Sequence, residues 1–289
     1  MDTLKISQNF LHNTDTVKKI ISLSNIEADD LVYEIGPGKG IITKELANAC
    51  KSVTAIEFDK GLAQKLKATL KENKKIDIIE GDFLKYGLPV AQQYKIFSNI
   101  PFNITAEIIQ KITNCVNPPT DSYLIVQQEP AIKYAGAPYG RETFRSLLLK
   151  PLFQLSIMHS FSKTDFHPIP NANIVLLHIA LKKEIMYDME SYKKYKDFIA
   201  YSFMRNAENI KSCFKDVFSY EQIKRLGREH EFDMKANINQ LFDTQWMSLF
   251  DFFFKSVVRQ KQEIIDGSYA KLLKQQDSLE KRHRNVQRR

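Results

Sequence analysis

Glu34-Ile35-Gly36-Pro37-Gly38-Lys39-Gly40 stands between an apolar run, Leu31–Ile35, and a stretch of helical periodicity, Ile41–Ala49. Alternate glycines at such a junction let the backbone turn sharply and approach a bound molecule closely, at the carboxyl end of a strand where open α/β sheets hold ligands. Working outward, short β-branched runs recur at residues 52–56, 76–79, 95–98, 123–127 and 174–179, separated by longer amphipathic stretches. That alternation predicts an α/β domain with a largely parallel sheet, the last two runs pairing antiparallel at an edge. Past Lys182 the pattern changes: residues 192–203, 220–228 and 244–258 carry apolar side chains three and four apart, with no strand-like run. The expected division is therefore an α/β domain over residues 1–182 and a small all-helical domain over 183–289. Trp246, Phe250, Phe253 and Phe254, at helical spacing, are expected in the core of the second.

Composition narrows the function. Of 289 residues 43% are hydrophobic and 26% charged, which excludes a disordered chain, and three scattered cysteines, Cys50, Cys115 and Cys213, exclude a disulfide framework. The basic excess of +8 favours a polyanionic partner, nucleic acid or an acidic membrane surface. The six histidines never stand at metal-ligand spacing, and no signal peptide or membrane-spanning run is apparent, so a metal-free cytoplasmic protein is expected. Five of the bases, Lys281, Arg282, Arg284, Arg288 and Arg289, crowd the last eleven residues against the single acid Glu280. This tail reads either as a phosphate contact or as a solvated helix end.

The glycine turn is G-x-G-x-G, which fits neither a nicotinamide fingerprint nor a Walker loop. An acid preceding it suits S-adenosylmethionine, whose methionine end can use the loop near Gly36 and Gly38 without any pyrophosphate. Glu57 ends the second run, nineteen residues beyond Gly38, near the offset at which a carboxylate accepts from ribose hydroxyls. Asp82 ends the third, where it can accept from an adenine amine, although either acid could instead cap a helix. Ser98-Asn99-Ile100-Pro101-Phe102 ends the fourth. The adenine exocyclic amine is a weak nucleophile because its lone pair is delocalised into the ring. The Asn99 side-chain carbonyl and the Ile100 backbone carbonyl can accept its two N–H bonds, Pro101 fixes the backbone, and Phe102 offers a face for stacking.

These motifs resemble the rRNA adenine N6-methyltransferases, and within them the Erm type. The resemblance extends through Gln8-Asn9-Phe10-Leu11, Gln127-Gln128-Glu129-Pro130-Ala131, Arg145-Ser146-Leu147-Leu148-Leu149-Lys150-Pro151 and Thr164-Asp165-Phe166-His167-Pro168-Ile169-Pro170. It implies a Rossmann-like S-adenosylmethionine-dependent methyltransferase domain and a monomer acting on one adenosine of protein-free or nascent 23S rRNA. Resistance to macrolide, lincosamide and streptogramin B antibiotics would follow. It also implies that Asn9, Leu11 and Asn99 join Gly36, Gly38, Glu57 and Asp82 at the cofactor, with Phe166 closing on the target base opposite Phe102. Asn171-Ala172-Asn173 departs from the family pattern by lacking a basic residue after the second proline.

Lys133, Arg141 and Arg145, interleaved with Tyr134 and Tyr139, form a basic-aromatic stretch suited to extruded or single-stranded RNA, or simply a solvated face. Two other functions remain open: a small-subunit rRNA dimethyltransferase, and a non-catalytic rRNA-binding assembly factor. Deleting residues 279–289 is expected to weaken RNA binding and flatten its salt dependence; an unchanged salt slope would make the tail a bystander.

Overall fold

The computed structural model describes residues 9–275; Gln8 and the tail residues Lys281, Arg282 and Arg284 lie outside the described residues. Strands are β1 (Phe10–Leu11), β2 (Leu31–Ile35), β3 (Ser52–Glu57), β4 (Ile76–Glu80), β5 (Lys95–Asn99), β6 (Asp121–Gln127), β7 (Phe153–Ser160), β8 (Phe166–His167) and β9 (Ile174–Leu181). Helices are α1 (Thr14–Ser22), α2 (Ile41–Ala49), α3 (Lys60–Leu70), α4 (Thr105–Asn114), α5 (Gln128–Ala135), α6 (Phe144–Leu149), α7 (Met189–Met204), α8 (Ile210–Phe214), α9 (Tyr220–Glu229), α10 (Asp243–Ser256) and α11 (Arg259–Gln262). None of the described helices is long and apolar enough to cross a membrane.

The main sheet has the order β4-β3-β2-β5-β6-β9-β7. The first five strands are parallel; β9 runs antiparallel to β6 and to β7. This is the expected Rossmann-like sheet, with one strand more than the sequence signals. Phe153–Ser160 is half-buried along most of its length, so its alternation is blurred, and it takes the edge position expected for Ile174–Leu181. Strand β6 is buried along nearly its whole length, as a strand covered on both faces must be. Beneath the sheet, Val32, Val53, Phe97, Ile125 and Leu176 share one core with Val17 and Ile20 of α1. That helix starts where Asn13 Oδ1 accepts from the Asp15 and Thr16 N–H groups at 3.0 and 3.2 Å.

The chain divides into two compact units, but not by a single cut near residue 182. Residues 133–152, inside the sheet-forming sequence, cluster with the described residues from Glu184 onward. Side chains explain why: Leu147 sits in the helical unit's core, the Tyr195 hydroxyl donates to its carbonyl at 3.0 Å, and the Tyr192 hydroxyl donates to Leu148 O at 2.7 Å. Lys150 is buried between Glu142 and Asp243. Trp246, Phe250 and Phe253 are fully buried there as expected, with Phe254 packed on them.

Backbone pairing between β2 and β5 covers only Val32 with Lys95 and Tyr33 with Ile96. Beyond that point a side chain takes over: Ser98 Oγ donates to Ile35 O at 2.5 Å and accepts from Ile35 N–H at 3.2 Å. Replacing Ser98 by Ala strands two buried backbone groups and is expected to cost about 1–3 kcal/mol in urea unfolding.

Candidate functional site

The glycine turn leaves β2 at the point where strand order reverses, with β3 on one side and β5 on the other, the crevice where open α/β sheets bind ligands. Gly38 has φ +57°, and a Cβ there would stand 2.7 Å from the Phe10 ring, so the turn requires glycine on both conformational and steric grounds. The Glu57 carboxylate secures this turn. Its Oε2 accepts from the Gly38 N–H at 3.0 Å and its Oε1 from the Asp59 N–H at 2.8 Å. The cap of α3 is Asp59, which leaves Glu57 a task at the glycine loop. Asp82 Oδ1 accepts from the Leu84 N–H at 2.9 Å, a local turn bond, while its other oxygen lies 3.9 Å from the Lys85 ammonium. Glu57, Asp82, Gly36 and Pro101 line one cleft of about 650 Å³. Phe10, Phe58 and Ile104 line it too. Sequence reasoning missed these three, because an aromatic or aliphatic residue next to a strand end reads as core.

A smaller cavity adjoins it. Asn9, Leu11, Glu34, Asn99, Ile100 and Phe102 line this second space, and Phe10, Gly36 and Pro101 border both. Asn99 Nδ2 donates to Asn9 O at 2.8 Å, while Asn99 Oδ1 is buried with no hydrogen-bond partner. Asn9 and Leu11 reach the site because β1 pairs with β8, Phe10 opposite His167 and Leu11 opposite Phe166. The same register corrects one expectation: Phe166 is 1% exposed and lines neither space. Its ring packs edge-on against Phe161, 5.4 Å away within the core, so it supports β1 from behind.

Glu34 was visible only as the acid preceding the turn. It is buried, its Oε2 has no partner, and it faces the smaller cavity. Burial, opposed by the neighbouring Thr43 hydroxyl and reinforced by the charge of Glu57, pushes its carboxyl up to about 8. At neutral pH it is mainly protonated. Among the described residues no cluster of His, Cys, Asp or Glu could hold a metal ion.

The basic-aromatic stretch belongs to the helical unit. Lys133, Arg141 and Arg145 are exposed there, but Tyr134 is buried, with the Arg145 guanidinium 5.2 Å over its ring and donating to its hydroxyl at 3.0 Å. Glu142 braces the loop by accepting from the Ala137 N–H at 3.1 Å and the Ser146 hydroxyl at 2.6 Å. In the α/β unit, the charge missing from Asn171-Ala172-Asn173 is supplied from elsewhere: the Lys163 ammonium donates to Asn171 O at 2.6 Å.

The sequence pattern of the ribosomal RNA adenine dimethylase family matches residues 3–255. The chain belongs to that family. The "rRNA adenine N-6-methyltransferase" of Limosilactobacillus reuteri is 34% identical over 253 residues, 86% of this chain and 95% of the relative. The "Ribosomal RNA small subunit methyltransferase A" of Malacoplasma penetrans (strain HF-2) is 30% identical over 254 residues, 86% and 91% of the two chains. The fold matches the crystal structure of the 23S rRNA methyltransferase ErmE, with a TM-score of 0.79 at 23% identity over 86% of this chain and all of that one.

As a member of this family the protein is an S-adenosylmethionine-dependent rRNA adenine methyltransferase. The residues present fit that cofactor: a glycine cradle with no room for a Cβ, carboxylates at two successive strand ends, and an orphaned amide oxygen beside them.

The sign of the Glu34 shift sets a pH dependence for this methyltransferase. A carboxyl held protonated by the fold contributes stability that is full below about pH 4.5, declines above it, and is lost as pH rises through about 8. Glu34→Gln is expected to flatten that decline, measured as urea-unfolding free energy between pH 5 and about 9. A slope identical to wild type would place the titration elsewhere.

Proposed function

We propose that this enzyme methylates the N6 amine of one adenosine in 23S rRNA, on protein-free or nascent transcripts in the cytoplasm, and so confers macrolide-lincosamide-streptogramin B resistance. The observation that carries the adenine chemistry is Asn99 Oδ1, a buried acceptor left without a donor beside the glycine turn. An amine supplies the missing donor; a keto oxygen would meet an acceptor head-on.

S-adenosylmethionine supplies an electrophilic methyl group on a sulfonium sulfur. Glu57 and Asp82 accept from its ribose and adenine with the lone pairs their backbone bonds leave over, and Gly36, Gly38, Asn9 and Leu11 enclose its other end. Asn99 Oδ1 and the Ile100 carbonyl accept the two N–H bonds of the target amine and hold its lone pair in one direction. Pro101 stiffens that carbonyl, and Phe102, half-buried at the cavity wall, offers its face to the base. Catalysis then rests on positioning, and no strong base is required. Lys133, Arg141 and Arg145 of the helical unit, together with the basic tail, take RNA phosphates.

One observation supports the 23S branch: the stretches at residues 127–131, 145–151 and 164–170 have the Erm pattern. The small-subunit methyltransferase of Malacoplasma, 30% identical, supports a second reading, dimethylation of small-subunit rRNA.

Transfer of radiolabelled methyl to protein-free 23S and 16S rRNA, with primer extension to locate the base, decides between them. Label at one adenosine of 23S rRNA is expected, and Asn99→Ala is expected to abolish it while largely sparing cofactor affinity by calorimetry. Label at adjacent adenosines of 16S rRNA would assign the enzyme to the small subunit, and full turnover by Asn99→Ala would refute the target-amine role.

A further inference from the structure

The α/β unit carries an exposed apolar side chain that the chemistry above does not use. Ile169 is 62% exposed, between Pro168 and Pro170, in the short link from β8 to β9. Scattered exposed isoleucines are ordinary; this one is mounted stiffly and in a particular place. The Pro168 carbonyl accepts from Asn9 Nδ2 at 2.7 Å, and the Asn9 carbonyl accepts from Asn99 Nδ2 at 2.8 Å. Two hydrogen bonds therefore connect the amide facing the target cavity to the peptide on which Ile169 stands. Pro168 and Pro170 restrict the backbone on both sides, and Pro170 is itself buried. Just before β8, the Asp165 carbonyl accepts from the His12 N–H and the Asp165 carboxylate from the Thr16 hydroxyl, both at 3.1 Å.

An adenosine cannot enter a cavity beside this link while it remains stacked in an RNA helix. Extruding it leaves a gap between its neighbours, and proteins that open a base stack fill such gaps with apolar side chains, isoleucine and proline among them. We propose that Ile169 is that wedge: it enters the RNA stack in the place of the extruded adenosine while Asn99 holds the base. Charge argues for RNA as the occupant. The Lys163 ammonium, exposed and bonded to Asn171 O two residues beyond Ile169, places a cation at the foot of the wedge, where a flanking phosphate would lie.

The wedge rests on the reading that the cavity receives an adenine, but not on which rRNA supplies it, so the test uses a fragment of whichever rRNA the enzyme labels. Two versions of that fragment are compared, one with the target adenosine paired and one with it opposite an abasic position, already loosened. Ile169→Ala is expected to lower kcat/KM roughly tenfold on the paired fragment and to recover to within about twofold of wild type on the loosened one. Ile169→Leu should stay near wild type on both. With 2-aminopurine at the target position, the fluorescence rise on binding wild-type enzyme should be lost with Ile169→Ala. Equal losses on the two fragments would make Ile169 merely structural, and no loss on either would overturn the wedge; label in 16S instead of 23S rRNA would refute the substrate assignment and leave the wedge standing.

Discussion

The architecture of the site depends on how β2 and β5 part company. Neighbouring strands in a parallel sheet normally pair to their ends, but these two keep only two residue pairs in register, and a serine hydroxyl substitutes for the next rung. From there β2 follows β3 and β5 follows β6. The glycine turn and Asn99 therefore emerge on either side of a gap that backbone pairing would have closed. A crevice made by diverging rungs is rigid without being filled, which suits a reaction whose main demand is alignment.

Strand ends were legible in the sequence because they are local. Gly36, Gly38, Glu57, Asp82 and Asn99 each follow a short β-branched run within three residues, and the structure brings Gly36, Glu57, Asp82 and Asn99 around two adjoining spaces, with Gly38 shaping the turn between them and Phe10. What sequence reasoning missed is non-local. Phe10 lies against Gly38 only because β1 pairs with a strand more than 150 residues later, and nothing in Phe10-Leu11 or Phe166-His167 alone announces a two-residue ladder. The same pairing turns Phe166 inward. Residues 133–152 lie within the sheet's sequence yet fold with the helices, since periodicity says which face of a segment is apolar and not which core it joins.

Two polar groups at the site are buried and incompletely bonded, Glu34 Oε2 and Asn99 Oδ1. An unsatisfied buried acceptor costs about 1–3 kcal/mol, a penalty that a hydrogen-bond donor brought to the site would remove. In the proposed role of Asn99, a guanine, which presents a carbonyl where adenine presents an amine, would be penalised without any steric block. Glu34 extends the principle: kept protonated at neutral pH, it adds no second negative charge beside Glu57.

The pairing of β1 with β8 also imposes an order on the protein's own synthesis. Residues 9–11 leave the ribosome well before their partners at 166 and 167, which are made only after six of the seven strands of the main sheet and the 133–152 segment of the helical unit. Until then Asn9 has no Pro168 carbonyl to hold, and Asn99 lacks a fixed neighbour. A chain still being translated can shape its glycine turn but not its target cavity. For an enzyme whose substrate is ribosomal RNA, the chain still attached to a translating ribosome therefore carries an incomplete active site until residues 166 and 167 are made.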